Sequence, residues 1–279
     1  MHKARIIAPS HRFRRKDYDR AISNMKRLGY SYSHSDKLFD RDLAYAGKAI
    51  DRAKDINDAY SDNNTDIIWA IRGGNGSIET LSHIDFAQIK DNPKPMIGYS
   101  DVSLLLNVIN QKTGVRMIHG PNAAYKVDDK YRRSVEQSIM DCIDRNHYSM
   151  PLVNTNFLGN ITGKIVGGNL SLVVDSLGTS FEIDTDDSIL FFEDLDIKGR
   201  RLYTLLVQLY LAGKLNVNAI VFGHFKNCSH HKHYIRLFVS RYNINAAYTN
   251  SFGHGNINIA FPIGDNAIIS SKDNSILFY

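Results

Sequence analysis

Short apolar runs, each closed by turn-prone residues, recur along the first 120 residues and alternate with stretches of helical spacing. The runs are "RIIAP", "DIIWAIRGG", "KPMIGYS" and "VRMIHGP". Between them, residues 16 to 28 read as a helix ending near Gly29. Residues 101 to 113 carry Leu104, Leu105, Val108 and Ile109 on one face and stop at Gly114. Strand, helix, strand in repetition predicts a parallel sheet covered by helices, an α/β domain of Rossmann or flavodoxin type. Residues 129 to 145 read as its closing helix.

A stretch without period, residues 148 to 159, is the expected linker. It divides an N-terminal domain (1–147) from a smaller C-terminal α/β domain (160–279). The second domain repeats the alternation: strand "GKIVGG", helix "NLSLVVDSLG", strand "SILFFED". The helix "RRLYTLLVQLYLAGK" follows, with its stripe at Leu202, Leu205, Leu206 and Leu209 and Gly213 as its stop. A strand "AIVFGHF", a helix over 230 to 242 and a hairpin-like end complete the chain.

Charge and cysteine content exclude some classes. The 34 basic and 29 acidic residues leave a net +5, spread along the chain. The densest basic stretch, "HRFRRK", is short, so no nucleic-acid partner is expected. Cys142 and Cys228 have no metal or redox spacing, which fits a reducing compartment. The opening "MHKARIIAPS" has only the pair Ile6–Ile7, too little for a signal peptide, and no run reaches the roughly 20 apolar residues of a membrane span. The expected location is the cytoplasm.

Sites of open parallel sheets lie beyond the carboxyl ends of the strands. Ser100 ends "MIGYS", Glu193 ends "ILFFE", and the glycine loop "RGGNG" ends "DIIWAI". Ser100 has two readings. It could cap the following helix, or it could be a nucleophile raised on a strand-to-helix turn. The glycine loop lacks the Lys-Ser/Thr of a P-loop. "HHKH", His230 to His233, has poor spacing for a metal site, because neighbouring histidines cannot share a helix face. His254, between glycines in "SFGHGN", is better explained by positioning than by packing. Serine, glutamate and histidine together form the set that nucleophilic catalysis needs: the base takes the serine proton, and the carboxylate orients the base.

Six stretches in order resemble the LD-carboxypeptidase family of serine peptidases, which includes the microcin C immunity peptidases. They are "IIAPS", "YAGKAIDRAKDINDAYSDNNTDIIWAIRGGNGS", "KPMIGYSDVSLLL", "GKIVGGNLSLVVDSLGT", "FFEDLD" and "FGHGNINIAFPIG". The resemblance implies that Ser100 is the nucleophile, Glu193 the triad carboxylate and His254 the base. It implies oxyanion donors at the backbone N–H of Asp101 and of Gly73 or Gly74. Two departures stand out. "RRLYT" keeps Arg201 but has Tyr203 and Thr204 where the family often has Asp and Arg, and His224 stands in "GHF" where Gly-Asp-Phe is usual. The resemblance further implies a homodimer with its site in the inter-domain cleft, acting without metal or organic cofactor. The substrate would be a muropeptide tetrapeptide that loses its terminal D-alanine, with Arg201 or Arg72 binding the free carboxylate. An amide joining an acyl-aspartate to a nucleotide is the alternative substrate. A non-catalytic binding protein is the reading from another class.

Overall fold

The computed structural model describes residues 2–279 and divides into two compact units, Met1–Val127 and Asp128–Tyr279. In the first, β1 (Lys3–Ile7), α1 (Arg15–Arg27), β2 (Ser31–Ser33), α2 (Ala49–Ser61) and β3 (Ile67–Ala70) are followed by α3 (Phe86–Asp91), β4 (Met96–Gly98), α4 (Val102–Thr113) and β5 (Met117–His119). The strands pair in parallel in the order β2-β1-β3-β4-β5. That is the flavodoxin-like order, whose crevice opens where β1 and β3 run side by side and the chain departs in opposite directions. Ile6, Ile68, Trp69, Ile97 and Ile118 are fully buried, as in a sheet covered on both faces. Every residue of α4 from Val102 to Asn110 is buried, which is why that helix reads as apolar nearly all round.

The second unit holds α5 (Asp129–Asp144), β6 (Tyr148–Pro151), β7 (Asn154–Thr155), β8 (Asn160–Asn169), α6 (Leu170–Asp175), β9 (Ser188–Leu195) and α7 (Gly199–Leu211). It continues with β10 (Ala219–Lys226), α8 (His231–Tyr242), β11 (Ala246–Gly253), β12 (Phe261–Ile263), β13 (Asn266–Ser270) and β14 (Ser275–Phe278). Eight of these strands make a mixed sheet in the order β6-β14-β13-β8-β9-β10-β11-β7. β8 to β11 are mutually parallel, and β13, β14, β6 and β7 join antiparallel. The rings of Phe191, Phe252 and Phe261 pack at 4.5–5.4 Å between centroids in its core.

The expected boundaries are corrected here. The break falls after Val127, not at 147, because α5 is tied to the second unit: Ser138 Oγ accepts the Ala260 N–H at 2.9 Å. The expected linker is sheet, with β6 paired to β14 and β7 to β11. Tyr148 anchors it, donating its hydroxyl to Ala260 O at 2.7 Å. With these additions the second unit is the larger, not the smaller.

Candidate active site

In the first unit the turn after β4 is built by close packing. A Cβ on Gly98 would lie 2.5 Å from Val102 Cγ1, so only glycine lets the strand run this tightly into α4. Ser100 then adopts φ 63°, the left-handed region that a non-glycine residue occupies at a cost. The Ser100 carbonyl accepts from the Ser103 N–H at 2.9 Å and from Ser103 Oγ at 2.7 Å. The helix cap position belongs to Asp101, so the side chain of Ser100 is not a cap. This geometry is that of a strand–turn–helix elbow, which projects a side chain at the end of a sheet with a helix N-terminus behind it.

Asp101 is buried and ties the elbow to the neighbouring loop. Its Oδ2 accepts the Ser77 N–H at 2.9 Å, and its carbonyl accepts from Ser77 Oγ at 2.8 Å. Burial pushes its carboxyl above the usual range, opposed by the Ser77 hydrogen bonds and the charge of Arg52. The Arg52 side chain, only 1% exposed, binds three backbone segments. Nη1 donates to Pro9 O at 2.6 Å and to Gly76 O at 2.8 Å, and Nε donates to Gly47 O at 3.1 Å. Nη2 reaches Glu79 Oε2 at 2.9 Å. One guanidinium therefore pins the loops after β1 and β3 together at the crevice of the sheet.

The two loop glycines are now distinguishable. A Cβ on Gly73 would stand 2.9 Å from Ser100 Cβ and 3.2 Å from its Oγ. Gly74, at φ +127°, lies against His11 instead, where a Cβ would come within 2.4 Å of the His11 Cβ. His11 is held below the ordinary histidine range by burial first, then by Arg72 and Arg12. Arg72 Nη1 donates to Arg12 O at 3.2 Å, so its partner is a loop carbonyl rather than a carboxylate. Trp69 is fully buried, with Nε1 on Pro121 O at 2.8 Å.

The second unit brings Glu193 and His254 together. Glu193 is wholly buried near the end of β9, and its Oε2 accepts from His254 Nδ1 at 2.5 Å. That contact fixes the tautomer and leaves Nε2 as the basic nitrogen. Glycine makes the approach possible: a Cβ on Gly253, at φ +103°, would fall 2.8 Å from Glu193 Cβ. The carboxylate of Asp194, the next residue, is taken up by the start of α6. Its Oδ2 accepts Ser171 N–H at 3.0 Å and Ser171 Oγ at 2.7 Å, capping α6.

Sequence reasoning missed Asn169, which stands opposite Glu193 in the β8–β9 register. Its Nδ2 donates to Glu193 Oε1 at 3.3 Å and to Asp194 Oδ1 at 3.1 Å, and its Oδ1 caps Leu172. The signal was the Gly167–Gly168 pair before it, since a Cβ on Gly167 would meet Phe191 O at 2.4 Å. Arg52 was missed too, because nothing in "AIDRAKD" marks one charge as buried. His224 flanks the histidine loop: Gly255 lies against its ring, and burial lowers its pKa. Arg201 is exposed on the first turn of α7. Of "HHKH", His231 bonds Cys228 O through Nδ1 at 2.9 Å. No three His, Cys, Asp or Glu side chains gather into a metal site among the described residues.

Comparison with known proteins gives the family. Residues 4–120 match the LD-carboxypeptidase N-terminal domain, and residues 162–269 match the LD-carboxypeptidase C-terminal domain. A probable murein peptide carboxypeptidase of Bacillus subtilis is 30% identical over 284 residues, covering 97% of this chain and 89% of the relative. The crystal structure of a muramoyltetrapeptide carboxypeptidase from Oxalobacter formigenes superposes with a TM-score of 0.89 at 25% identity, covering 99% and 97% of the two chains. The structure of MccF in complex with glutamyl sulfamoyl guanosine shares the fold, with a TM-score of 0.91 at 19% identity over 99% and 95% of the chains. The chain belongs to the LD-carboxypeptidase family of serine-type hydrolases.

Proposed function

We propose that this protein is a serine LD-carboxypeptidase that removes the terminal D-alanine from muropeptide tetrapeptides in the cytoplasm, in cell-wall recycling. The observation that carries the reading is the buried Glu193–His254 pair, an oriented base, in a chain whose elbow residue is a serine. His254 Nε2 takes the proton of Ser100, whose Oγ attacks the scissile carbonyl. The N–H of Asp101 and an N–H of the Gly73–Gly74 loop stabilise the oxyanion. His254 then protonates the leaving amine, and water releases the acyl group by the same steps in reverse. No step uses a metal or organic cofactor, so turnover should survive EDTA.

Arg201 is the proposed partner of the substrate's free carboxylate, because it keeps an arginine position of the family where its neighbours Tyr203 and Thr204 depart. A tetrapeptide is preferred over an acyl-aspartyl nucleotide because Trp69, the chain's only tryptophan, is buried and offers no stacking surface. The test is mass spectrometry of defined tri-, tetra- and pentapeptide muropeptides after incubation, with an amidated tetrapeptide alongside. Loss of one D-alanine from the free acid and little from the amide is expected. Equal cleavage of acid and amide would replace this reading with an endopeptidase. A homodimer is also part of the proposal, and light scattering at micromolar concentration checks it.

A further inference from the structure

A cleft of about 610 Å³ opens in the second unit between α8, the outer face of β10–β11 and the edge strand β7. None of Asn169, Glu193 or His254 lines it. Its floor is apolar: Phe222, Ile235 and Val239 are buried there, and the Tyr248 ring stacks on Phe222 at 5.7 Å and 25°. Its charged lining is of one sign. Lys232 and Arg236 reach it from α8, and neither has an ion-pair partner among the described residues. No aspartate or glutamate lines the cleft. Asn154 and Asn250 add exposed amides at the mouth. The Tyr248 hydroxyl has no hydrogen-bond partner among the described residues, and burial raises its pKa, so it stays a neutral donor.

The chemistry of this lining selects a ligand. A drug-sized concavity with an aromatic wall takes a flat apolar body of matching size. Two unpaired cations beside it, with no acid to neutralise them, take an anionic group attached to that body. A neutral molecule of the same shape gains nothing from the two cations and binds more weakly. We propose that this cleft is a binding site for an amphipathic aromatic anion, separate from the residues assigned to hydrolysis. The body lies against the Tyr248 ring over the apolar floor, and the anion pairs with Lys232 and Arg236.

Two dyes test it. 8-Anilinonaphthalene-1-sulfonate carries the fused rings and an anion, and N-phenyl-1-naphthylamine has the same rings without the charge. The folded protein should bind the sulfonate saturably with one site per chain, at least about tenfold more tightly than the neutral dye. Lys232→Gln with Arg236→Gln should weaken the sulfonate by about tenfold and leave the neutral dye unchanged. Both positions are exposed, so the variant should keep its circular dichroism and melting temperature. Ser240→Trp, at the exposed rim, should fill the cleft and abolish saturable binding of both dyes. Equal affinity for the two dyes, or no response to removal of the two charges, would overturn the proposal. So would a dimeric parent that Ser240→Trp converts to monomer while dye binding is absent from both. The cleft would then be a face between copies of this chain.

Discussion

Backbone conformation fixes Ser100, whereas side-chain bonding fixes His254. At the elbow, φ 63° at Ser100 and the missing Cβ of Gly98 set the position, and the serine side chain takes no part in holding the turn. In the other unit the histidine is set by a wholly buried carboxylate that is itself held by Asn169. The serine can therefore be altered with little effect on folding. The glutamate cannot, because removing a buried partner leaves the others unsatisfied. Activity and stability should separate at Ser100 and fall together at Glu193.

The sharpest break in this contrast comes from Ser100→Ala. Turnover of the tetrapeptide should fall by roughly 10⁴- to 10⁶-fold, as for a lost triad nucleophile. Stability should stay within about 0.5 kcal/mol, because no hydrogen bond of the turn uses Oγ. Denaturant melts and single-turnover kinetics on one preparation measure both. A folded variant with near-normal rates would remove the serine mechanism altogether.

A comparison of adjacent carboxylates probes the other side. Glu193→Gln should slow turnover by more than about 10²-fold, though less than His254→Ala, since in the proposed mechanism the carboxylate orients while the imidazole moves protons. It should also cost about 1–3 kcal/mol, because the buried amide faces the donor of Asn169. Asp194→Asn should cost stability through the weakened cap of α6 while retaining most of the activity. If the two exchanged behaviours, the base would be served by Asp194 and the Glu193–His254 bond would be incidental.

Arg52 offers a smaller effect that tests how the first unit holds its loops. Arg52→Lys keeps a charge but cannot span Pro9, Gly76 and Gly47 at once. Loosening the loop that carries Gly73 should lower kcat by up to about 10²-fold and leave KM nearly unchanged. A change in KM alone would mean that the loop binds substrate without serving the oxyanion.

The same division between backbone and side chain explains what the sequence disclosed. The elbow was legible in "MIGYSDVSLLL" because its cause is local: a glycine, a turn and a helix start lie within a few residues. Gly114 and Gly213 marked helix ends for the same reason, since both sit at positive φ at or just beyond the C-cap. The strands β6 and β7 were hidden because their partners are β14 and β11, about 100 residues away, and their own residues carry no period. β11 was hidden by polar residues such as Thr249 and Ser251, which are buried against the rest of the unit. Asn169 and Arg52 act across loops or strands distant in sequence, so only the fold gives them partners.

The smallest effect isolates the conformational cost at the elbow. Ser100→Ala and Ser100→Gly both lack the proposed nucleophile, so both should be inactive and differ only in backbone behaviour. At φ 63° a residue with a Cβ bears a left-handed penalty of about 1–2 kcal/mol. Glycine escapes that penalty but gives up about 0.4–1 kcal/mol through the greater freedom of its unfolded chain. The Gly variant should therefore be the more stable of the two by roughly 0.5–1 kcal/mol. The Ser103 bonds to the residue 100 carbonyl survive in both, so they do not enter the difference. Urea denaturation of the two variants side by side measures it. Equal stability, or a less stable Gly variant, would mean that the elbow relaxes once its serine is gone, and that the side chain rather than the backbone maintains the strain.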